Sequence, residues 1–176
     1  MVGVVVIGAI VASVAVRRWT SAPSAVAVEA VPEADAIVMF VGGKGERLTL
    51  VRRLVDAGVA ADVVIPNGMA IEGSVGSGSC MSAGTAEVYC PPLPDGDTRS
   101  EARLIADLAA EQGWDDLVVV TSTYHVERAR LRLQRCFDGT ITTVGAEPDI
   151  GLVSAFGKAG HELLGHVEAR TLQRSC

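Results

Sequence analysis

From residue 35 onward the apolar positions of this chain switch repeatedly between a strand period and a helix period. Asp35 to Val41 reads as a continuous apolar run, the pattern of a strand buried on both faces. Glu46 to Ala57 follows with Val51, Leu54 and Val55 forming one stripe, and Gly58 supplies a helix stop. Asp62 to Ile65 predicts a second strand. Pro66 to Asp97 holds six glycines and four prolines and reads as loop, with a short strand over Ala86 to Tyr89. Arg99 to Gln112 is a helix with Ala102, Ile105, Ala106 and Ala109 on one face. Leu117 to Thr121 is the clearest strand. A helix over Tyr124 to Cys136, a strand over Thr140 to Val144 and a closing helix over Phe156 to Leu172 complete the pattern. This alternation predicts an α/β fold, a mainly parallel sheet with helices on both faces.

The N-terminus departs from that rhythm. Val2 to Val16 carries no charge and a single hydroxyl, Ser13, before Arg17-Arg18-Trp19 closes the run. A membrane span needs about 20 residues, so the run is short for one. A signal-peptide core, a truncated signal anchor and a buried helix or strand all remain open. The preferred expectation is a membrane anchor over residues 1–19 whose true start lies upstream of Met1. Residues 20–34, rich in Ala, Pro and Ser, then form a linker to a domain over residues 35–176. The basic pair taken alone places the domain inside; the cysteines point the other way.

Composition narrows the partners. The 176 residues suit one domain with a short appendage. Apolar residues make up 49% and aromatics only 4%, so Val, Leu, Ile and Ala must build the core. A net charge of -6 and scarce aromatics argue against nucleic acid, which needs a basic patch and stacking rings. None of the 4 cysteines falls in a Cys-x-x-Cys pair, so no zinc site is expected. An even count behind an apolar leader suggests disulfides and an oxidising compartment, with Cys80–Cys90 and Cys136–Cys176 the expected pairs. Four reduced thiols in a cytosolic protein are the alternative.

Candidate chemistry gathers after the strands: Gly42-Gly43, Asn67-Gly68, Thr121-Ser122 and Gly145-Ala146-Glu147. A doubly wound sheet opens its crevice there. Gly42-Gly43-Lys44-Gly45 suits an anion at a helix N-terminus, and equally a plain turn. Arg47 leads the inward stripe of its helix and so must reach a partner, either a bound phosphate or carboxylate or an internal acid. Thr98 with Glu101 fits a capping box; the competing reading turns Glu101 into the crevice as a base or as a partner of Arg47. His125 sits at the edge of its helix's core stripe, where the N-terminal dipole favours a neutral imidazole able to act as a base. Thr121 and Ser122 are expected as anion ligands or as a cap. By helical geometry Arg128 joins Arg132 and Arg135 in a solvated ridge. His161-Glu162-Leu163-Leu164-Gly165-His166 spaces its histidines five apart rather than four, so no metal is assigned. No cofactor is expected.

These residues are similar to the YdcF/SanA/ElyC-like family of bacterial proteins. The shared pieces are Asp35-Ala36-Ile37-Val38 leading to Gly42-Gly43 and Arg47, and Leu54 through Gly58. Thr98-x-x-Glu101-Ala102 and Val119-Val120-Thr121-Ser122-x-x-His125-x-x-Arg128-Ala129 follow. The resemblance spans about residues 35 to 172 and implies a Rossmann-like α/β/α sandwich. It further implies an N-terminal membrane segment and a role in envelope or peptidoglycan metabolism, with S-adenosylmethionine binding in one branch. It also makes Arg128 a site residue, against the geometric reading. Where family members carry Ser-Gly-Gly and an acidic residue after the second strand, this chain has Asn67-Gly68 and a cysteine-bounded loop. The expectation is an anchored, extracytoplasmic domain. It would bind or process a phosphate-bearing or glycan envelope precursor, a small or lipid-linked anion. Glu101 and His125 would move protons, with Gly42, Gly43, Arg47, Asn67, Thr98, Thr121, Ser122 and Arg128 as ligands. A nucleotide or S-adenosylmethionine binder and a non-catalytic scaffold are the alternatives.

Overall fold

The computed structural model describes residues 27–43, 45–68, 83, 85–93, 95–148, 151–171 and 175–176. The expectations for residues 1–19, for most of the linker, for Lys44 and for Cys80 lie outside them. Among the described residues no helix is long and apolar enough to cross a membrane.

Five strands form one parallel sheet: β1 (Ala36–Met39), β2 (Asp62–Val64), β3 (Glu87–Tyr89), β4 (Asp116–Ser122) and β5 (Thr140–Ala146). Their order is β3-β2-β1-β4-β5. The chain therefore reverses direction across the sheet between β1 and β4, and this switch point is where such folds open a crevice beyond the strand ends. The helices are α1 (Glu46–Asp56), α2 (Thr98–Gln112), α3 (Val126–Leu133) and α4 (Leu152–Thr171). The fold is the expected Rossmann-like α/β type.

Strand alternation splits the core in two. Ile37, Met39, Val63, Val118 and Val120 point to one face and meet Leu48, Val51, Leu54 and Val55 of α1. Ala36, Val38, Phe40, Val64 and Val119 point to the other and meet Ala102, Ile105 and Ala109 of α2 with Ala129 and Leu133 of α3. Each strand is thus apolar on both faces, which is why it reads as an unbroken run. Asp35 pins the start of β1 beside β4: its Oδ2 accepts from Asp115 N at 2.7 Å and Asp116 N at 2.9 Å.

Several boundaries correct the sequence reading. Asp97, not Thr98, caps α2, its Oδ1 accepting from Arg99 N at 2.9 Å and Ser100 N at 2.7 Å. An ionised carboxylate is the stronger acceptor for those two donors. The Thr98–Glu101 capping box therefore does not form, and both side chains are released for other partners. Gly145 and Ala146 do not follow β5 but end it, paired with Thr121 and Ser122. His125 belongs to a 3-10 turn over Thr123–His125, and α3 starts only at Val126. α4 begins at Leu152, a turn earlier than its apolar pattern indicated.

The Cys136–Cys176 disulfide is present, with the Cα atoms 4.9 Å apart. It fastens the chain beyond α4 to the end of α3. Cys90 is also disulfide-bonded; its expected partner, Cys80, lies outside the described residues. Arg99 holds the same C-terminal stretch over α2, donating from Nη2 to Ser175 Oγ at 2.7 Å and Cys176 O at 2.9 Å.

Candidate functional site

The carboxyl ends of β1 and β4 bring together residues from four separate stretches of chain. Arg47, in the first turn of α1, is 3% exposed. Its Nη1 donates to Phe40 O at 2.7 Å and Val41 O at 2.5 Å, and its Nε donates to Ser122 Oγ at 3.0 Å. The guanidinium thus staples the end of β1 to the end of β4. Its partners are carbonyls and a hydroxyl, not an acid, and among the described residues it makes no ion pair. Of the partners open to a buried arginine, backbone dipoles and a hydroxyl make the direct contacts, and the Glu101 carboxyl couples to its charge at longer range.

Ser122 does not cap the helix that follows it. Its Oγ accepts from Arg47 and donates to Glu46 Oε1 at 3.0 Å. The glycines before α1 are explained by the same contacts. Gly42 has φ +112, and a Cβ there would lie 3.3 Å from Arg47 Nη1. Gly43 has φ +82, and a Cβ would fall 2.4 Å from Glu46 Oε1. Both positions have a left-handed backbone that favours glycine, and a side chain there would also press on the Arg47 guanidinium or displace the Glu46 carboxylate.

On the other side of the strand ends lies His125, buried in its turn. Nδ1 pairs with Thr121 Oγ1 at 2.8 Å and Nε2 with Thr98 Oγ1 at 3.3 Å. Phe40 meets the imidazole edge-on, ring centroids 6.0 Å apart. Burial, then the charges of Arg128 and Arg47, hold its pKa well below the ordinary 6.5, so the ring is neutral. A neutral imidazole between two hydroxyls uses one nitrogen as donor and one as acceptor. Glu101, freed from the cap, accepts from Val41 N through Oε1 at 2.5 Å. Burial pushes its carboxyl up to about 7, against the Val41 N–H, Arg47 and Arg128, which favour the anion. Glu101 therefore titrates near neutrality, where a proton carrier is most useful.

Arg128 corrects the solvated-ridge reading. It donates to Glu162 from Nε at 2.8 Å and Nη2 at 2.7 Å, and from Nη1 to Thr98 Oγ1 at 2.8 Å. Arg132 is buried, and Arg135 Nη1 donates to Ala169 O at 2.8 Å. The reason is α4, which packs across α3 and covers this row. Its Gly165 makes room: a Cβ there would come within 3.1 Å of Arg128 Cδ. Asn67 has other duties. In a left-handed conformation (φ 59), it accepts from Leu93 N through Oδ1 at 2.6 Å and donates from N to Pro91 O at 2.9 Å, holding the chain after β3.

Glu162 is the participant that sequence reasoning missed. It lies inside the His-Glu-Leu-Leu-Gly-His string, whose histidine spacing fits no metal motif. A signal was legible. Ala155, Glu162 and Ala169 recur at heptad spacing and are all buried, and an acid in an alanine stripe needs a cation. Tyr124 and Lys158 were also missed.

Fold and site together define a class: a doubly wound parallel α/β protein with a buried acid–base cluster at its switch point. No protein-family model, curated protein or solved structure matches the chain.

Proposed function

We propose that the crevice at the ends of β1 and β4 binds an oxyanion on a phosphate-bearing or glycan precursor of the cell envelope, and that His125 and Glu101 move protons there. The observation that carries this reading is the company Arg47 keeps. A buried guanidinium that makes no ion pair among the described residues stands beside a neutral imidazole and a carboxyl poised near neutrality. A phosphate or carboxylate brought to Arg47 gains a full cation in low dielectric. Thr121 and Ser122 supply hydroxyls at the same strand ends, and Gly42-Gly43 lets backbone approach a ligand. The resemblance of the Thr98 to Glu101 and Thr121 to Arg128 motifs to the YdcF/SanA/ElyC-like family supports an envelope role. The apolar residues 2–16 support an N-terminal membrane anchor, and the Cys136–Cys176 disulfide supports a domain outside the cytoplasm.

The test is a thermal melt of the domain with inorganic pyrophosphate. Binding at a hundredfold excess over Kd adds about 2.7 kcal/mol, a clear rise in melting temperature. Arg47→Lys and His125→Gln should reduce the rise. No shift in the parent protein, or shifts in both variants as large as the parent's, sinks the proposal. The switch-point position also suits a nucleotide or S-adenosylmethionine, and calorimetry with millimolar cofactor separates that reading.

A further inference from the structure

Tyr124 and Lys158 stand at the same strand ends and take no part in the reading above. Tyr124, buried in the turn between Ser122 and His125, has the Lys158 Nζ of α4 5.0 Å from its ring centroid. Lys158 and Ser122 both act on its hydroxyl and favour the phenolate. Ser122 Oγ is in turn 3.0 Å from Arg47 Nε and 3.0 Å from Glu46 Oε1. The phenol is therefore one hydroxyl away from the guanidinium that would hold the ligand. Burial opposes ionisation of this phenol, but Ser122, Lys158 and Arg47 outweigh it and bring its pKa below the ordinary value. The charged groups facing it are Lys158 from α4 and Arg47 from α1, with Glu46 reached through Ser122.

We propose that Tyr124 is a proton donor of this site, with Lys158 as the cation that carries its phenolate. The proposal rests on the oxyanion reading. In the step, water attacks the phosphorus or sugar carbon of the ligand held at Arg47, the bond from that atom to the leaving oxygen breaks, and the Tyr124 O–H bond breaks as its proton forms an O–H bond on that oxygen. The phenolate left behind is balanced by the Lys158 ammonium and is reprotonated from water. His125, neutral, takes the proton of the attacking water on its accepting nitrogen, giving up the threonine hydrogen bond made there, and returns it to solvent.

The chain has 2 tyrosines, so Tyr89→Phe leaves Tyr124 as the only phenol to follow by near-ultraviolet absorbance. Far-ultraviolet circular dichroism at each pH confines the titration to folded protein. The midpoint is expected below about 10. Lys158→Met, or Lys158→Gln should that variant not fold, raises it; Lys158→Arg keeps it low. Saturating inorganic pyrophosphate raises it too, because a second anion opposes the phenolate. A neutral Lys158 variant that titrates like the parent overturns the proposal. So does pyrophosphate that raises the melting temperature without moving the phenol. Pyrophosphate without effect on melting sinks the oxyanion reading instead, and the Lys158 variants then judge the couple by themselves.

Discussion

The site holds two buried arginine clusters that solve the same problem differently. Arg128 is neutralised: Glu162 grips it with both carboxylate oxygens, and its remaining contact positions Thr98 against His125. Arg47 is solvated but not neutralised, held by two carbonyls and a hydroxyl. A carboxylate takes up two of the Arg128 donors, whereas none of the direct Arg47 contacts is to a carboxylate; both charges still act on His125 and Glu101. The difference lies in their direct contacts, although the two are equally prominent in the sequence motif, and under the proposed function it makes Arg47 the arginine that meets the anion.

The largest effect is expected from the tie on the Arg128 half. Cys136 and Cys176 are 40 residues apart, and opening that loop costs about 4 kcal/mol of stability by chain entropy. Urea unfolding of a Cys136→Ser, Cys176→Ser double variant measures it. Arg47 lies outside the closed loop, so the variant should still respond to pyrophosphate at temperatures where it is folded.

Arg47→Met comes next. It leaves Phe40 O, Val41 O and Ser122 Oγ short of a donor, a loss of about 3 kcal/mol, and it should abolish the pyrophosphate response. Glu162→Ala strands Arg128, whose side chain keeps 15% exposure, so the loss is roughly 2 kcal/mol rather than the larger cost of a wholly buried pair. Its pyrophosphate response should persist. If Glu162→Ala silences the response as fully as Arg47→Met does, the division between the two arginines is wrong.

The smallest net effect concerns pH, because the two proton carriers oppose each other. Glu101 has a raised pKa, so between the ordinary carboxylate value of about 4.3 and about 7 the folded state keeps a proton that the unfolded state has lost. Stability from this group falls as pH rises through that window. His125 has a lowered pKa, so below 6.5 the unfolded state holds a proton that the folded state lacks. Its contribution rises with pH until about 6.5. The parent protein should therefore show a shallow profile between pH 5 and 6.5 (roughly, from these ordinary values). Glu101→Gln should expose the rising limb and His125→Gln the falling one, each approaching about 1.4 kcal/mol per pH unit. Denaturation midpoints across pH check both slopes, and parallel profiles for the two variants would refute the opposition.

Much of this site was legible one residue at a time. Arg47 on an apolar helix face announced a buried cation, and the placement of Thr121, Ser122 and His125 after the clearest strand announced a strand-end cluster. What failed were statements about partners. The Thr-x-x-Glu spacing at Thr98 pointed to a capping box because two acceptors, Asp97 and Thr98, sit side by side, and only backbone geometry chose the aspartate. Arg128 looked solvated because helical spacing within α3 says nothing of a second helix lying across it.

The sequence by itself determined the order and type of the elements and the faces they bury, because apolar periodicity is a local property that each segment carries whole. It also determined that Arg47 would be buried and in need of a partner. Only the tertiary structure decided who the partners are. Ser122 reaches Arg47 across 75 residues because β4, not β2 alone, lies beside β1. Glu162 reaches Arg128 across 34 residues because Gly165 lets α4 close on α3. Strand order and helix crossing are set by how whole faces pack together, and no local pattern records that choice.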